Sequence, residues 1–338
     1  ATLLMNIIQM TTDYTYTPTR GHITAVSILI IITHGMINSL PGSVLSSITK
    51  DYCIVNICST IALIVTLLAK CPDFNSRGYT FGKVINSTGW DADGWAFLFG
   101  FLQVSWVMTC YDATSRMSEE VYNAAYLTPI AIGSALVTTA ILGWVLIVVI
   151  TLCMGTDMDR ILNTTTGQPI VEIYYLAMGK AGATAFLSLS FVILWFCGAV
   201  AMCYTARSLW SFSRDRGLPY YKFWYHLDPR TEAPVRCVWL ICFINSCLTL
   251  INLGSTTAMN AIFSACAICT DWSYIIVIAA FALNREKMGV KRGPFHMGKF
   301  SKPIMFYACL WTVFVSIVFV FPNYMPVNKE NMNYTVVI

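Results

Sequence analysis

Charge is what this sequence has least of. Asp, Glu, Lys and Arg make up 11% of its 338 residues, against about 25% in an ordinary soluble domain. A chain so poor in charge does not cover a water-facing surface. Histidine is scarce too. The four are His22, His34, His226 and His296, with no pair at His-x-x-x-His spacing and none joined to a Cys or Ser cluster. That argues against a metallohydrolase or a nucleophilic triad; the chain is not expected to be an enzyme or to hold a metal or cofactor. Cysteine is plentiful at 13, yet no Cys-x-x-Cys pair lies in a loop, which argues against a zinc or redox site. Cys197, Cys203, Cys266 and Cys269 sit inside apolar blocks, where a thiol behaves as a small hydrophobe. Cys71 and Cys153 fall at block ends expected on one side, so a disulfide between them stays open. No basic stretch carries the aromatic interleaving of a nucleic-acid module, so nucleic acid is not expected as a partner. Short alternating segments, the mark of a membrane β-barrel, are missing as well.

What is present is apolar residue in bulk, 57% of the chain, gathered in long blocks. A hydrocarbon core about 30 Å thick takes roughly 20 apolar residues in helical form. Lipid also offers no partner to an open strand edge. The blocks therefore predict an all-α polytopic membrane protein. The spans are expected over 22–40, 52–68, 95–121, 130–154, 184–210, 234–253, 258–283 and 303–321, after a partial segment over 1–10. The chain opens on Ala1 inside an apolar segment and ends on Val336-Val337-Ile338, which reads as the start of one more span. A chain truncated at both ends is the expectation.

Lys and Arg mark the cytoplasmic side of such proteins. Arg214, Arg216, Lys222, Arg230 and Arg236 lie in one loop; Arg285, Lys287, Lys291, Arg292, Lys299 and Lys302 lie in another, two spans later. Both loops are assigned to the cytoplasm. Three glycosylation sequons, at Asn86, Asn163 and Asn333, then all fall outside, the side on which such sequons are used.

The segment from Gly94 to Pro129 carries the chemistry. It begins as an ordinary span, and after Thr109-Cys110-Tyr111-Asp112 its apolar pattern weakens. Transporters commonly break a helix at mid-membrane and expose its backbone to substrate. A carboxylate at that depth is costly and faces a cavity or a partner. Asp112 has two readings: the N-cap of a second half-helix, or an anion for a substrate ammonium or a coupling proton. Trp106 and Tyr111 are either packing residues or aromatic walls for an ammonium group, an attraction of roughly 0.5–2 kcal/mol. Glu119 and Glu120 read as solvated or paired with loop arginines. Asp271 is the second deep acid, near the middle of its span; it calls for a basic partner or carries a proton. Arg207, Arg214 and Arg216 read as arginines snorkelling at a helix end that Gly217 and Pro219 terminate.

Three blocks give the chain a likeness. One runs from Gly89 to Val121 and holds Gly89-Trp90, Trp95-Ala96-Phe97, Asp112 and Met117-Ser118-Glu119-Glu120. Another holds Thr166-Gly167-Gln168-Pro169-Ile170 and reaches Arg214-Asp215-Arg216-Gly217-Leu218-Pro219. The last joins Asn252-Leu253-Gly254-Ser255-Thr256-Thr257, Arg292-Gly293-Pro294-Phe295 and Glu330-Asn331-Met332-Asn333. In these the chain resembles fungal permeases of the amino-acid–polyamine–organocation superfamily, in the branch with choline and GABA permeases. The resemblance implies a twelve-span fold with two inverted five-helix repeats of the leucine-transporter type. Residues 1–70 would be the remnant of the first repeat, with the end of span three and spans four and five. Residues 71–283 would be the second repeat, with 95–121 its broken sixth span. Residues 284–338 would hold a basic cytoplasmic loop, span eleven and the start of span twelve. The family's substrate site lies between the first and sixth spans, which assigns Trp106 as a lid and Thr109, Cys110, Tyr111 and Asp112 as the unwound binding segment, with Asp112 and Asp271 as coupling candidates. Two departures stand out. Basic residues are missing just after the sixth span, and Asp271 replaces an apolar or aromatic residue, which favours a cationic or zwitterionic substrate. The expected function is a proton-coupled importer of choline, GABA or another amino acid, embedded in the plasma membrane. The alternative is a non-transporting relative, either a nutrient sensor or a degenerate gene piece.

Overall fold

The computed structural model describes residues 1–118, 121–284, 289, 293–328 and 332–333. Glu119, Glu120, Arg285, Lys287, Lys291, Arg292, Glu330, Asn331 and the closing stretch 334–338, with its expected start of a further span, lie outside the described residues. Within them the chain is helix and connecting turns, with no strand. In order the helices are α1 (Thr2–Thr11), α2 (Arg20–Asn38), α3 (Gly42–Lys70), α4 (Arg77–Gly82), α5 (Asp93–Val107), α6 (Ala113–Arg116) and α7 (Ala124–Cys153). After these come α8 (Met158–Leu162), α9 (Pro169–Arg214), α10 (Tyr221–Trp224), α11 (Val235–Gly254), α12 (Thr256–Asn284) and α13 (Ser301–Val320). Seven of them are long and apolar enough to cross a bilayer. Their outward faces are apolar: Leu194 is 60% exposed, Phe243 67% and Val277 67%. In water such a surface would aggregate; in a bilayer it is the lipid contact. This is an integral, multi-pass α-helical membrane protein.

Three expected spans differ in form, the one over 52–68 belonging to the longer α3, Gly42–Lys70. The broken span stops as a regular helix at Val107, and among the described residues the four-residue α6 is the α-helix that follows within the expected span. The span expected over 184–210 belongs to the longer α9, which begins at Pro169 in the first-turn position where a missing N–H costs nothing. Within α9, Gly179 takes φ 71° and ψ 178°, kinking the helix. Only glycine holds that conformation without strain. Lys180 follows directly, its ammonium bonded to Asp13 and to the Thr11 carbonyl. That charge interrupted the hydropathy and hid the first turns of the helix.

The helices gather into two compact units that interleave along the chain: residues 1–83 with 141–254, and residues 84–140 with 255–338. Packing thus groups the chain otherwise than by its order, because α9 and α11 join α1–α3 in the first unit. Here Met10, Leu67, Val171, Ala183 and Leu187 form one buried cluster, and Met202, Ala206, Cys237, Val238 and Cys242 a second. α2 and α9 approach so closely that a Cβ on Gly198 would lie 2.6 Å from His34 Cε1. Asn38 ties the same pair by donating its amide to the carbonyls of His34 and Ala199, each at 2.9 Å. Asn75 fastens the loop after α3 to the end of α7, donating to the carbonyls of Thr151 at 2.8 Å and Gly155 at 3.1 Å. Cys71 and Cys153 stand together here as thiols, Cys71 Sγ lying 3.9 Å from the Cys153 carbonyl. At the other end of α9, Arg214 lies over Trp210 and Arg236 over Phe223, with 5.2 and 4.4 Å to the ring centroids. Asp228, in the same connection, accepts from the N–H groups of Arg230 and Thr231, which holds its carboxyl below the ordinary range.

In the second unit α5, α12 and α13 pack around Val315, Val318 and Phe319. One end is closed by Trp90, Trp95, Phe99 and Phe321, with Trp95 and Phe321 centroids 5.0 Å apart. Trp90 Nε1 donates to the Pro322 carbonyl at 3.1 Å, and Met325 N–H to the Thr88 carbonyl at 2.7 Å. The loop before α5 and the loop after α13 therefore share this end, and with it Asn86 and Asn333.

Candidate functional site

The site lies wholly within the second unit, where α5 breaks. After Val107 the chain turns through Met108, and Cys110 takes a left-handed φ of 62°. For a residue with a Cβ that is an uncommon and strained conformation. The reversal brings the next two side chains against α12. The Tyr111 and Tyr274 rings lie 5.1 Å apart, tilted at 47°. Tyr274 Oη donates to Asp112 Oδ1 at 2.6 Å. Arg116, one turn along on α6, donates its Nε to Asp112 Oδ2 at 2.7 Å. Asp112 stands at the N-cap position of α6, yet its side chain makes no capping bond. The physical reason is that both of its oxygens are already engaged elsewhere.

Beside this knot is a cavity of about 340 Å³, within the range of roughly 300–1,000 Å³ common for small-molecule sites. Three helix faces form it. Phe101, Val104, Ser105 and Met108 come from α5 and its end. Asp271, Tyr274, Ile275 and Ile278 come from α12, and Ala308, Trp311 and Thr312 from α13; Thr109 and Tyr111 complete the wall from the break. Each set recurs at three- and four-residue spacing, one face of a helix. Asp271 is the sole charged residue among those described lining it. No hydrogen bond or ion pair among the described residues engages its carboxylate. It sits close to the midpoint of α12, where a membrane-length helix is deepest.

The two deep acids read from the sequence thus both adjoin Tyr274, whose hydroxyl is bonded to Asp112 and whose side chain lines the cavity with Asp271. Thr109 and Tyr111 line the cavity. Cys110 is exposed in the turn, and Asp112 stands behind Tyr274 rather than in the wall. Trp106 is outside the lining; it packs edge-on against Phe263 at 6.2 Å and is 37% exposed. Tyr274 and Trp311 were not picked out from the sequence. Tyr274 had a signal, three residues after Asp271 on a helix; Trp311 lies on a span whose aromatics all look alike. Among the described residues no group of three His, Cys, Asp or Glu side chains could hold a metal ion. Of the sequons, Asn163 is exposed. Asn86 donates its amide to Trp90 O and Asp93, and Asn333 donates to the carbonyls of Phe319 and Phe321.

A 15-residue helix that stops at Val107, a strained turn, and a small, mostly apolar cavity with one carboxylate in its wall make up the site of this membrane protein. The chain belongs to the amino acid permease family, which it matches over residues 1–338. It is similar to an uncharacterized amino-acid permease of Schizosaccharomyces pombe, 44% identical over 100% of this chain and 62% of that protein. It is similar to amino-acid permease 2 of Neurospora crassa, 33% identical over 99% of this chain and 62% of that protein. A choline transporter of Saccharomyces cerevisiae is 32% identical over 88% of this chain and 53% of its own length. The chain spans less than two thirds of the length of these relatives.

Proposed function

We propose that the protein is a secondary permease that moves a small amino or ammonium compound, such as choline, GABA or another amino acid, across the plasma membrane, coupled to a proton. The observation that carries this reading is the break at Met108–Asp112 after the apolar helix α5, opening beside a cavity with a carboxylate in its wall. Broken helices supply polar backbone to substrate where an unbroken span cannot. Membership of the amino acid permease family supports it, and one relative is a choline transporter. On this reading the chain carries out no covalent chemistry. Its second inverted repeat runs over 71–283 after a first-repeat remnant at 1–70, and residues 284–338 carry it into spans eleven and twelve.

The test is uptake of labelled choline and labelled GABA by cells lacking their own permeases, expressing the protein in its natural reading frame. Each substrate is competed by the other and by neutral amino acids. The expected result is saturable uptake of one class that rises as external pH falls and drops at least tenfold in Asp112→Asn, which releases the unwound segment from Tyr274 and Arg116. Protein present at the cell surface with no uptake of any of these compounds would overturn the reading.

A further inference from the structure

The two acids of the site are not equivalent. Asp112 has its counter-ion on its own segment, Arg116 on one oxygen, and accepts the Tyr274 hydroxyl of α12 on the other. Asp271 faces the cavity as the sole charge among its described lining residues, with no counter-ion among the described residues. A carboxylate at the middle of a membrane helix is expensive to keep charged without a partner. Its surroundings describe that partner. The walls near it are the rings of Tyr111, Tyr274 and Trp311 and aliphatic side chains of α5 and α12. A hard divalent cation asks for six or more oxygen ligands, which one carboxylate and a few hydroxyls do not supply. Aromatic faces and a single carboxylate instead suit a weakly hydrated organic ammonium, whose charge meets the acid while its carbon groups meet the rings.

We infer that this cavity is a binding subsite for a small organic monocation, and that Asp271, rather than Asp112, recognises its positive charge. Asp112 is a positioning residue that holds Tyr274 and the unwound segment in place. The inference rests on the permease reading only in taking the cavity for a substrate cavity, and it is tested without transport.

Equilibrium binding of labelled choline to the purified protein in detergent is competed with its neutral carbon isostere, 3,3-dimethylbutan-1-ol. Wild type should bind choline at least tenfold more tightly than the isostere. Asp271→Asn should erase that preference, and Asp271→Glu should restore part of it. Asp112→Asn should keep it, with at most a common loss for both ligands. In unmutated protein, choline but not the isostere should slow carbodiimide labelling of Asp271, read by mass spectrometry; this arm needs no variant to fold. Equal binding of choline and isostere by wild type, undiminished preference in Asp271→Asn, loss of preference in Asp112→Asn alone, or labelling indifferent to choline would each overturn the inference. Intact binding with no uptake would sink the permease reading and leave this one standing. Uptake with a preference untouched in Asp271→Asn would do the reverse.

Discussion

Tyr274→Phe is the sharpest probe of how the broken segment is held, because it deletes one hydroxyl and leaves the ring beside Tyr111. The hydroxyl donates to Asp112 Oδ1 at 2.6 Å, and the Asp112 side chain is 16% exposed. A hydrogen bond to a charged acceptor contributes about 1.5–3 kcal/mol in soluble proteins. Interhelical bonds in membranes average about 0.6 kcal/mol and reach about 1.7, because the unfolded chain in lipid finds other partners. A charged, largely covered acceptor belongs at the upper end, so about 1–2 kcal/mol of coupling is expected. The Arg116–Asp112 pair is an i, i+4 pair with Arg116 34% exposed, and such a pair gives no more than about 0.3–0.5 kcal/mol. The assay is unfolding of the detergent-solubilised protein in a double-mutant cycle of Tyr274→Phe and Asp112→Ala. If the hydroxyl acts through Asp112, the double variant will be little worse than Asp112→Ala alone. Single effects that add to within about 0.5 kcal/mol, the scatter of independent sites, would refute the claim that α12 and the unwound segment are tied at this point.

Two further predictions follow from backbone and surface geometry. Gly179→Ala should destabilise the protein by about 1–3 kcal/mol, the cost of forcing a side chain into a conformation kept for glycine; because nothing lies within 4 Å of the added Cβ, the loss is conformational, and Gly143→Ala, inside α7 with equally open space around its Cβ, should lack that backbone penalty. Of the sequons, glycan should attach at Asn163, so Asn163→Gln should collapse the glycosidase-sensitive gel shift while Asn86→Gln and Asn333→Gln leave it, since the amides at 86 and 333 are already donated within the fold.

Hydropathy made the long helices legible, and the physics of the bilayer explains why. A span needs length and apolarity and little else, so the blocks at 22–40 and 234–253 match α2 and α11 to within about two residues. α9 was read short because Lys180 and Gly179 break the apolar run, although the charge bonds Asp13 at the edge of the unit rather than ending the helix. The break after Val107 was legible as a weakening of pattern; its form was not. An aspartate after a turn reads as an N-cap, and it is Arg116 on one oxygen and Tyr274, far away in sequence, on the other that take its side chain elsewhere. Trp106 shows the same limit. An aromatic residue one turn before a break is as good a packing residue as a ligand wall, and its face on α5 directs it to Phe263.

The pairing of Asp112 with Asp271 also bears on why the site contains two acids at all. A single carboxylate cannot both hold a strained turn and give up its partner to each arriving ligand, because the turn would open with every cycle. Here the strained Cys110 turn is secured by an acid with its own arginine and its own hydroxyl. The second acid, one helical step from that hydroxyl on α12, is left to face the cavity. Tyr274 is then the physical link between them: its ring lines the cavity with Asp271, and its hydroxyl is bonded to Asp112. If a cation bound at Asp271 shifts that ring, which lines the same cavity, the shift works directly on the bond between Tyr274 and the unwound segment. Coupling between ligand and helix break thus needs no longer path than one tyrosine side chain. For this reason Tyr274→Phe should spare the choline-over-isostere preference while weakening the dependence of α5–α6 protection, measured by hydrogen exchange at 108–116, on bound choline; protection that responds to choline as fully as in wild type would break the link.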